Sequence, residues 1–399
     1  MFKFGIDVLL SDQKRLNDLK GKRVSLVAHP ASVTSKLTHT LDALMQVGSF
    51  KLASAFGPQH GMKGEKQYNM VESEDYLDPV YHIPVFSLYG EVRRPTEKMM
   101  QTFDIVLFDL QDIGTRIYTY LTTLVYMMEA CEKYQKRLIV LDRPNPVGRP
   151  IEGYLLKAGF ESFVGVGQIP IRHGMTLGEF AKFYQSEKKI KLDLEVISME
   201  NYHPESSGFG WPTDRSWVNP SPNAASLNMA RCFPGTVMIE GTHLSEGRGT
   251  TRPLEVIGAP NLPVEKIIGQ MHETYRDWLN GCVIRPCFFQ PTFYKFNSEL
   301  CQGIQIHADD HQYQHQHFKP FRVVSAFLKS LRQVDPEYKI WRDFSYEYVT
   351  DRLAIDVITG SDEFRTWVDS PNSGKNDLEK ILIQDELNWR EKTEKYHLY

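Results

Sequence analysis

The sequence has no run of 18 apolar residues, so it offers no segment able to cross a bilayer as a helix. It has no surplus of positive charge either. Its 46 Lys and Arg stand against 50 Asp and Glu, a net charge of -4, which leaves no electrostatic footprint for nucleic acid. Cysteine is scarce: Cys131, Cys232, Cys282, Cys287 and Cys301 are odd in number and lack CxxC spacing, so neither a disulfide framework nor a zinc site is indicated, and a reducing compartment fits. The opening stretch MFKFGIDVLLSDQKR is too short in apolar residues for a secretory signal and has no small-residue cleavage site. A cytoplasmic location is therefore expected, or a periplasmic or secreted one if a leader was trimmed. No GxxxxGKS/T and no GxGxxG after the first strand occur, so nucleotide hydrolysis and dinucleotide-dependent redox chemistry have only fold class behind them. Internal repeats and low-complexity segments are missing too. What remains is a chain of 399 residues with an ordinary apolar content of 41%, enough for two domains. The expected division is 1–228 and 229–399.

The stretch Asp104 to Tyr120, DIVLFDLQDIGTRIYTY, organises the rest. Ile105 to Phe108 form the short apolar run of a strand buried on both faces, and Asp109, Gln111 and Asp112 follow at its carboxyl end. From Arg116 to Tyr134, apolar residues recur at three- and four-residue steps, which predicts a long helix. In an open α/β sheet, ligands bind beyond the carboxyl ends of the strands, which makes Asp109 and Asp112 candidate site residues. The competing account is helix capping with a buried salt bridge to Arg116.

Strand, turn and helix alternate elsewhere as well. Lys22–His29 and Lys51–Phe56 read as strands, the second running into Gly57-Pro58-Gln59-His60-Gly61. The long polar connection 62–82, with Lys63, Glu65, Gln67 and Asn69, has the length of a functional loop. Ile83–Tyr89, Arg137–Leu141 and Leu192–Met199 are further strands; the prolines in Asp142-Arg143-Pro144-Asn145-Pro146 hold polar groups on a stiff loop at the same rim. Arg172-His173-Gly174 precedes a helix over 176–188. Trp211 and Trp217 suit either sugar stacking or core packing. From about Met229 a smaller α/β domain begins, and the run Glu240 to Thr251 offers Glu240, Glu246 and Arg248 for a cleft facing the first domain, or else forms a solvated hinge. His307, His311, His315 and His317 lack a dependable metal-ligand spacing.

Taken together, GPQHG, PVFSLYG, FDLQDIGTRIYTY, VLDRPNP, SFVGVG with RHGMTLGE, NPSPN, EGTHLSEGRGTTRPLEVIGAP and PTF resemble the exo-β-N-acetylmuramidase (NamZ-like) family of peptidoglycan glycosidases across nearly the whole chain. The resemblance implies a Rossmann-like N-terminal domain with a parallel sheet, a smaller C-terminal α/β domain and a cleft between them. It also implies release of N-acetylmuramic acid from the non-reducing end of a saccharide or peptidoglycan fragment, with no metal and no nucleotide cofactor.

The sequence departs from the family pattern at three places. The usual GPEHG glutamate, the leading candidate for catalytic acid, is Gln59; the tyrosine of PVYSLYG is Phe86; and NPAG appears as His29-Pro30-Ala31-Ser32. These changes are expected to share one pocket. Glutamine can hydrogen-bond a glycosidic oxygen but cannot protonate it. The remaining acids are Glu65, Asp109, Asp112, Glu240 and Glu246, with Glu65 the first choice because its loop can swing toward position 59. Arg116, Arg143 and Arg248 are candidate partners for the lactyl carboxylate, and His60, Tyr118, Asn145, His173 and Asn223 complete the expected substrate-binding set. Two readings stand: a glycosidase with rearranged catalytic groups, or a sugar-binding protein of the same fold that has lost turnover.

Overall fold

A computed structural model describes residues 1–399. Seven strands make the main sheet: β1 (Arg23–Ala28), β2 (Lys51–Gly57), β3 (Tyr76–Leu77), β4 (Pro84–Ser87), β5 (Ile105–Asp109), β6 (Arg137–Leu141) and β7 (Leu194–Ile197). Their spatial order is β3-β4-β2-β1-β5-β6-β7, all parallel except the short edge strand β3. Helices cover both faces, as a parallel sheet requires. The alternation is visible in β1 and β5: Val24, Leu26, Ile105 and Leu107 enter the apolar layer on one face, Val27, Val106 and Phe108 the layer on the other. Chain order reverses about β1, so the loops after β1, β2 and β5 border the crevice where such sheets bind ligands.

The long helix begins at Tyr120 rather than Arg116. The backbone N–H of Arg116 is drawn instead into a bond with the Ile171 carbonyl at 2.8 Å, beside a bridge between Thr115 and Arg172. Cross-chain pairing wins over helical periodicity for those four residues.

The second domain carries an antiparallel sheet of β8 (Val256–Ala259), β10 (Cys301–His307) and β9 (Val283–Phe289), in that order. Helix Leu227–Thr236 contains Pro234 and Gly235, breakers that hide it from a periodicity reading. Gly235 is required by contact: a Cβ there would lie 2.0 Å from the Pro320 carbonyl oxygen of helix Pro320–Val334. The apolar layer containing Phe108 is continuous with that around Phe321, Phe327 and Ile355, so one core spans both domains.

Polar groups reinforce this seam. Glu152 of the first domain accepts from the backbone N–H groups of Phe321 and Arg322 at 3.1 and 3.0 Å, capping helix Pro320–Val334 from outside. Arg322, fully buried, reaches Glu386 at 2.6 Å, Glu379 at 2.8 Å and Glu152 at 3.5 Å. Replacing the one cation in this cluster strands at least two buried carboxylates. Arg322→Met is therefore expected to lower unfolding free energy by about 3–5 kcal/mol at pH 7. The loss should shrink at pH 4–5, where Glu152, which burial pushes above the ordinary carboxyl range, takes up a proton; urea denaturation at the two pH values checks both statements.

Candidate active site

A small cleft, partly open to solvent, lies between the domains beyond the carboxyl ends of β2 and β5. The first domain lines it with Gln59, His60 and Asn69 from the loop after β2, Ile117, Tyr118 and Thr119 from the turns after β5, and Ser221 and Asn223. The second domain supplies Phe233, Glu240, Arg248, Tyr346 and Glu347.

Local backbone geometry fixes these groups. His60 has φ of 73°, in the left-handed region, and is followed by Gly61 at 82°. The His60 imidazole is held by Nδ1 against the Lys66 carbonyl at 2.7 Å, and burial holds its pKa down to about 4, so it faces the cleft neutral. The Tyr118 hydroxyl is buried and has no hydrogen-bond partner in the protein.

On the opposite wall Glu240 accepts from Arg248 at 2.5 Å, Tyr346 at 2.8 Å and Asn69 at 3.1 Å. Behind it, Glu246 pairs with Lys295 at 2.9 Å and Arg248 at 3.2 Å. Burial works to raise the Glu246 pKa, but the two cations outweigh it and hold the carboxyl below its ordinary range. Glu246 is thus a buried anion behind the cleft wall and unsuited to delivering a proton.

The group that sequence reasoning missed is Glu347. It sits with Tyr348 at the tip of a tight hairpin closed by Tyr346 and Val349, and both central residues have positive φ, 46° and 68°. That combination is the one a type I′ turn requires and normally assigns to Asn and Gly. A glutamate and a tyrosine held there mark a conformation imposed by its surroundings, as is common at functional sites. Those surroundings are specific. Thr119 Oγ1 donates to Gln59 Oε1 at 2.8 Å, which turns the amide nitrogen toward Glu347 Oε1 at 3.1 Å, and Tyr89 donates its hydroxyl to Glu347 Oε2 at 2.8 Å. Burial, with the charge of Glu240, pushes the Glu347 carboxyl up to about 7, although the bonds from Tyr89 and Gln59 and the nearby Arg93 pull the other way.

Of the expected site residues, Gln59, His60, Tyr118, Asn223, Glu240 and Arg248 converge on this cleft. Others are taken up by the fold. Glu65 is exposed and turns back over Gly61, outside the lining, so the preferred replacement acid is not the one beside Gln59. Asp109 and Arg143 form a buried two-point ion pair, at 2.5 and 2.9 Å, that ties the ends of β5 and β6. Arg116 is fully buried and donates to the carbonyls of Ile358 and Thr359 at 3.0 and 3.2 Å; it makes no salt bridge with Asp112, and burial drives its pKa down to about 9. Asn145 donates to the carbonyls of Gly148 and Met175. Asp112 accepts from the Gly114 N–H at 2.7 Å and lies 3.5 Å from buried His173, away from the lining.

The three departures do not share a pocket. Phe86 packs on Phe56, Ser32 bonds His29 and the Asp109 carbonyl, and only position 59 faces the cleft. Trp211 and Trp217 pack edge to face against each other with ring centroids 4.9 Å apart, and His315 stacks on Phe209.

The N-terminal family model of the exo-β-N-acetylmuramidase NamZ matches residues 24–228 and the C-terminal one residues 231–399. The chain belongs to the NamZ family. It is 37% identical over 387 residues to the peptidoglycan β-N-acetylmuramidase NamZ of Bacillus subtilis (strain 168), covering 95% of this chain and 88% of that one. Two solved DUF1343 family proteins from Bacteroides fragilis NCTC 9343 share the fold over 100% of this chain and 99% of their own. BF0371 does so with a TM-score of 0.84 at 29% identity, BF0379 with 0.76 at 26%. No helix of this NamZ family member is long and apolar enough to cross a membrane.

Glu347 also leaves a mark on stability. Its folded pKa of about 7 lies above its ordinary 4.5, so the folded state holds more protons across that window and stability falls as pH rises through it. Glu347→Gln keeps the shape and removes the cost, and is expected to raise unfolding free energy at pH 8 by on the order of 1–3 kcal/mol while leaving it unchanged at pH 4. Denaturant midpoints at the two pH values test this.

Proposed function

We propose that this protein is an exo-acting β-N-acetylmuramidase that releases N-acetylmuramic acid from the non-reducing end of peptidoglycan fragments. The observation that carries the reading is a polar cleft between the domains, in a NamZ family fold, that contains a buried carboxyl able to hold its proton near neutral pH. Its polar lining suits a sugar. Asn69, Asn223, Ser221 and the unpartnered Tyr118 hydroxyl offer neutral hydrogen bonds, and Phe233 and Ile117 offer apolar surface. Arg248 is the one permanent cation among the lining residues. Its Nη2 is engaged by Glu240, and its Nη1 makes no protein hydrogen bond, which leaves an edge for the lactyl carboxylate that distinguishes muramic acid from glucosamine. Arg116 and Arg143 are buried away from the cleft lining and are not needed for that role.

The alternative of a sugar-binding protein without turnover rested on Gln59. It loses its ground because a second carboxyl occupies the adjacent position.

The expected outcome is release of free N-acetylmuramic acid from a disaccharide of N-acetylmuramic acid β-linked to N-acetylglucosamine, followed by chromatography. The matching disaccharide with N-acetylglucosamine at the non-reducing end should be cut at least about tenfold more slowly, the worth of one modest polar contact. Equal rates on the two would remove the assignment of Arg248 to the lactyl group, and inactivity on both would remove the glycosidase reading.

A further inference from the structure

We propose that Glu347, delivered by the second domain, is the proton donor of this enzyme, in the place that Gln59 cannot fill. The inference rests on the glycosidase reading above and adds the identity of the acid.

Glu347 lines the cleft, and its carboxylate lies 3.1 Å from the Gln59 amide, a group that has no proton to deliver to a glycosidic oxygen. Every other acid considered is removed by geometry: Glu65 points away, Asp109 is locked to Arg143, Glu246 to Lys295 and Arg248, and Asp112 lies off the lining. Glu240 does line the cleft, but its carboxylate oxygens are already engaged by Arg248, Tyr346 and Asn69. Glu347 has no cation within salt-bridge distance. The charged and titratable groups around it are Tyr89, Arg93 and Tyr348 on its outer side and Tyr346 and Glu240 toward the cleft. The Gln59 amide then has a task of its own. Anchored by Thr119, it orients the carboxyl without adding a second negative charge beside it.

The step balances with water as the only co-reactant. As the bond between C1 of the terminal sugar and the bridging oxygen breaks, its electron pair stays on that oxygen, which takes the Glu347 proton and leaves as an alcohol. The acetamido oxygen of the same sugar closes on C1 as an oxazolinium cation, the substrate-assisted route open to N-acetyl sugars. Water then adds at C1, reopening the ring and giving its proton to the Glu347 carboxylate, so that free sugar and the starting acid are restored.

A proton donor matters in proportion to how poor the leaving group is, and a merely structural residue does not discriminate in this way. The unaltered protein and Glu347→Gln should be compared on the natural disaccharide and on 4-nitrophenyl β-N-acetylmuramide, whose phenolate departs with little help. Glu347→Gln is expected to lose about 10²–10⁴-fold in kcat on the disaccharide and less than about tenfold on the nitrophenyl substrate. Near-normal turnover of the disaccharide, or the same fold-loss on both substrates, would overturn the assignment. Tyr89→Phe gives an independent measurement: losing the hydroxyl that favours the anion, it should move the alkaline limb of the kcat profile to higher pH, and an unmoved limb counts against Glu347. Should the unaltered protein cleave neither substrate, the glycosidase reading itself fails, an outcome distinct from a defect confined to the variants.

Discussion

Everything at the cleft depends on the two domains being fused through one desolvated seam. Arg322 gathers Glu152, Glu379 and Glu386 from both sides of it, Arg116 donates to the carbonyls of Ile358 and Thr359, and the apolar layer beneath β5 runs on into the second domain without a break. A guanidinium as deeply buried as that of Arg322 is costly unless nearly every donor is satisfied, and its Nε, Nη1 and Nη2 all meet carboxylates. The seam is therefore selective as well as adhesive: small shifts of one domain against the other would strand charge. This rigidity is what allows a hydrogen bond across the cleft, from Gln59 to Glu347, to hold its length.

Much of the architecture was legible because its signals are local. A buried run such as Ile105–Phe108, followed at once by carboxylates, reads as a strand and its carboxyl end whatever the rest of the chain does. The second domain was harder. Helix Leu227–Thr236 carries Pro234 and Gly235, which read as punctuation, and their reason is a close approach to the Pro320 carbonyl that no local pattern announces. The start of the long helix departs from its periodicity for the same reason, since the Arg116 N–H is captured by the Ile171 carbonyl, 55 positions along the chain.

The site divides along the same line. Gln59, His60, Tyr118 and Arg248 were found because they sit in glycine-rich or motif-like stretches at strand ends. Asp109, Arg143 and Asn145 occupy equally suggestive positions, yet they serve to close the sheet's rim. Charge at a strand end says only that a partner exists, and whether that partner is a ligand or another residue is a matter of three-dimensional reach. Glu347 had almost no signal. The one available was an acid flanked by two tyrosines in a segment without periodicity, and its meaning comes from a strained turn and from neighbours 258 and 288 residues away in sequence.

That separation bears on how the molecule comes into being. The proton that Glu347 retains near neutral pH is owed to the burial that domain docking creates; in a freely hydrated chain it would be an ordinary glutamate, ionised at neutral pH. With Glu347 as donor, a nascent chain on the ribosome would complete the whole first domain and most of the second, with every sugar contact of the loop after β2 in place, before the residue able to break a glycosidic bond emerges. Wall-degrading chemistry would then switch on as the last act of folding, and fragments, stalled chains or misdocked molecules would be inert.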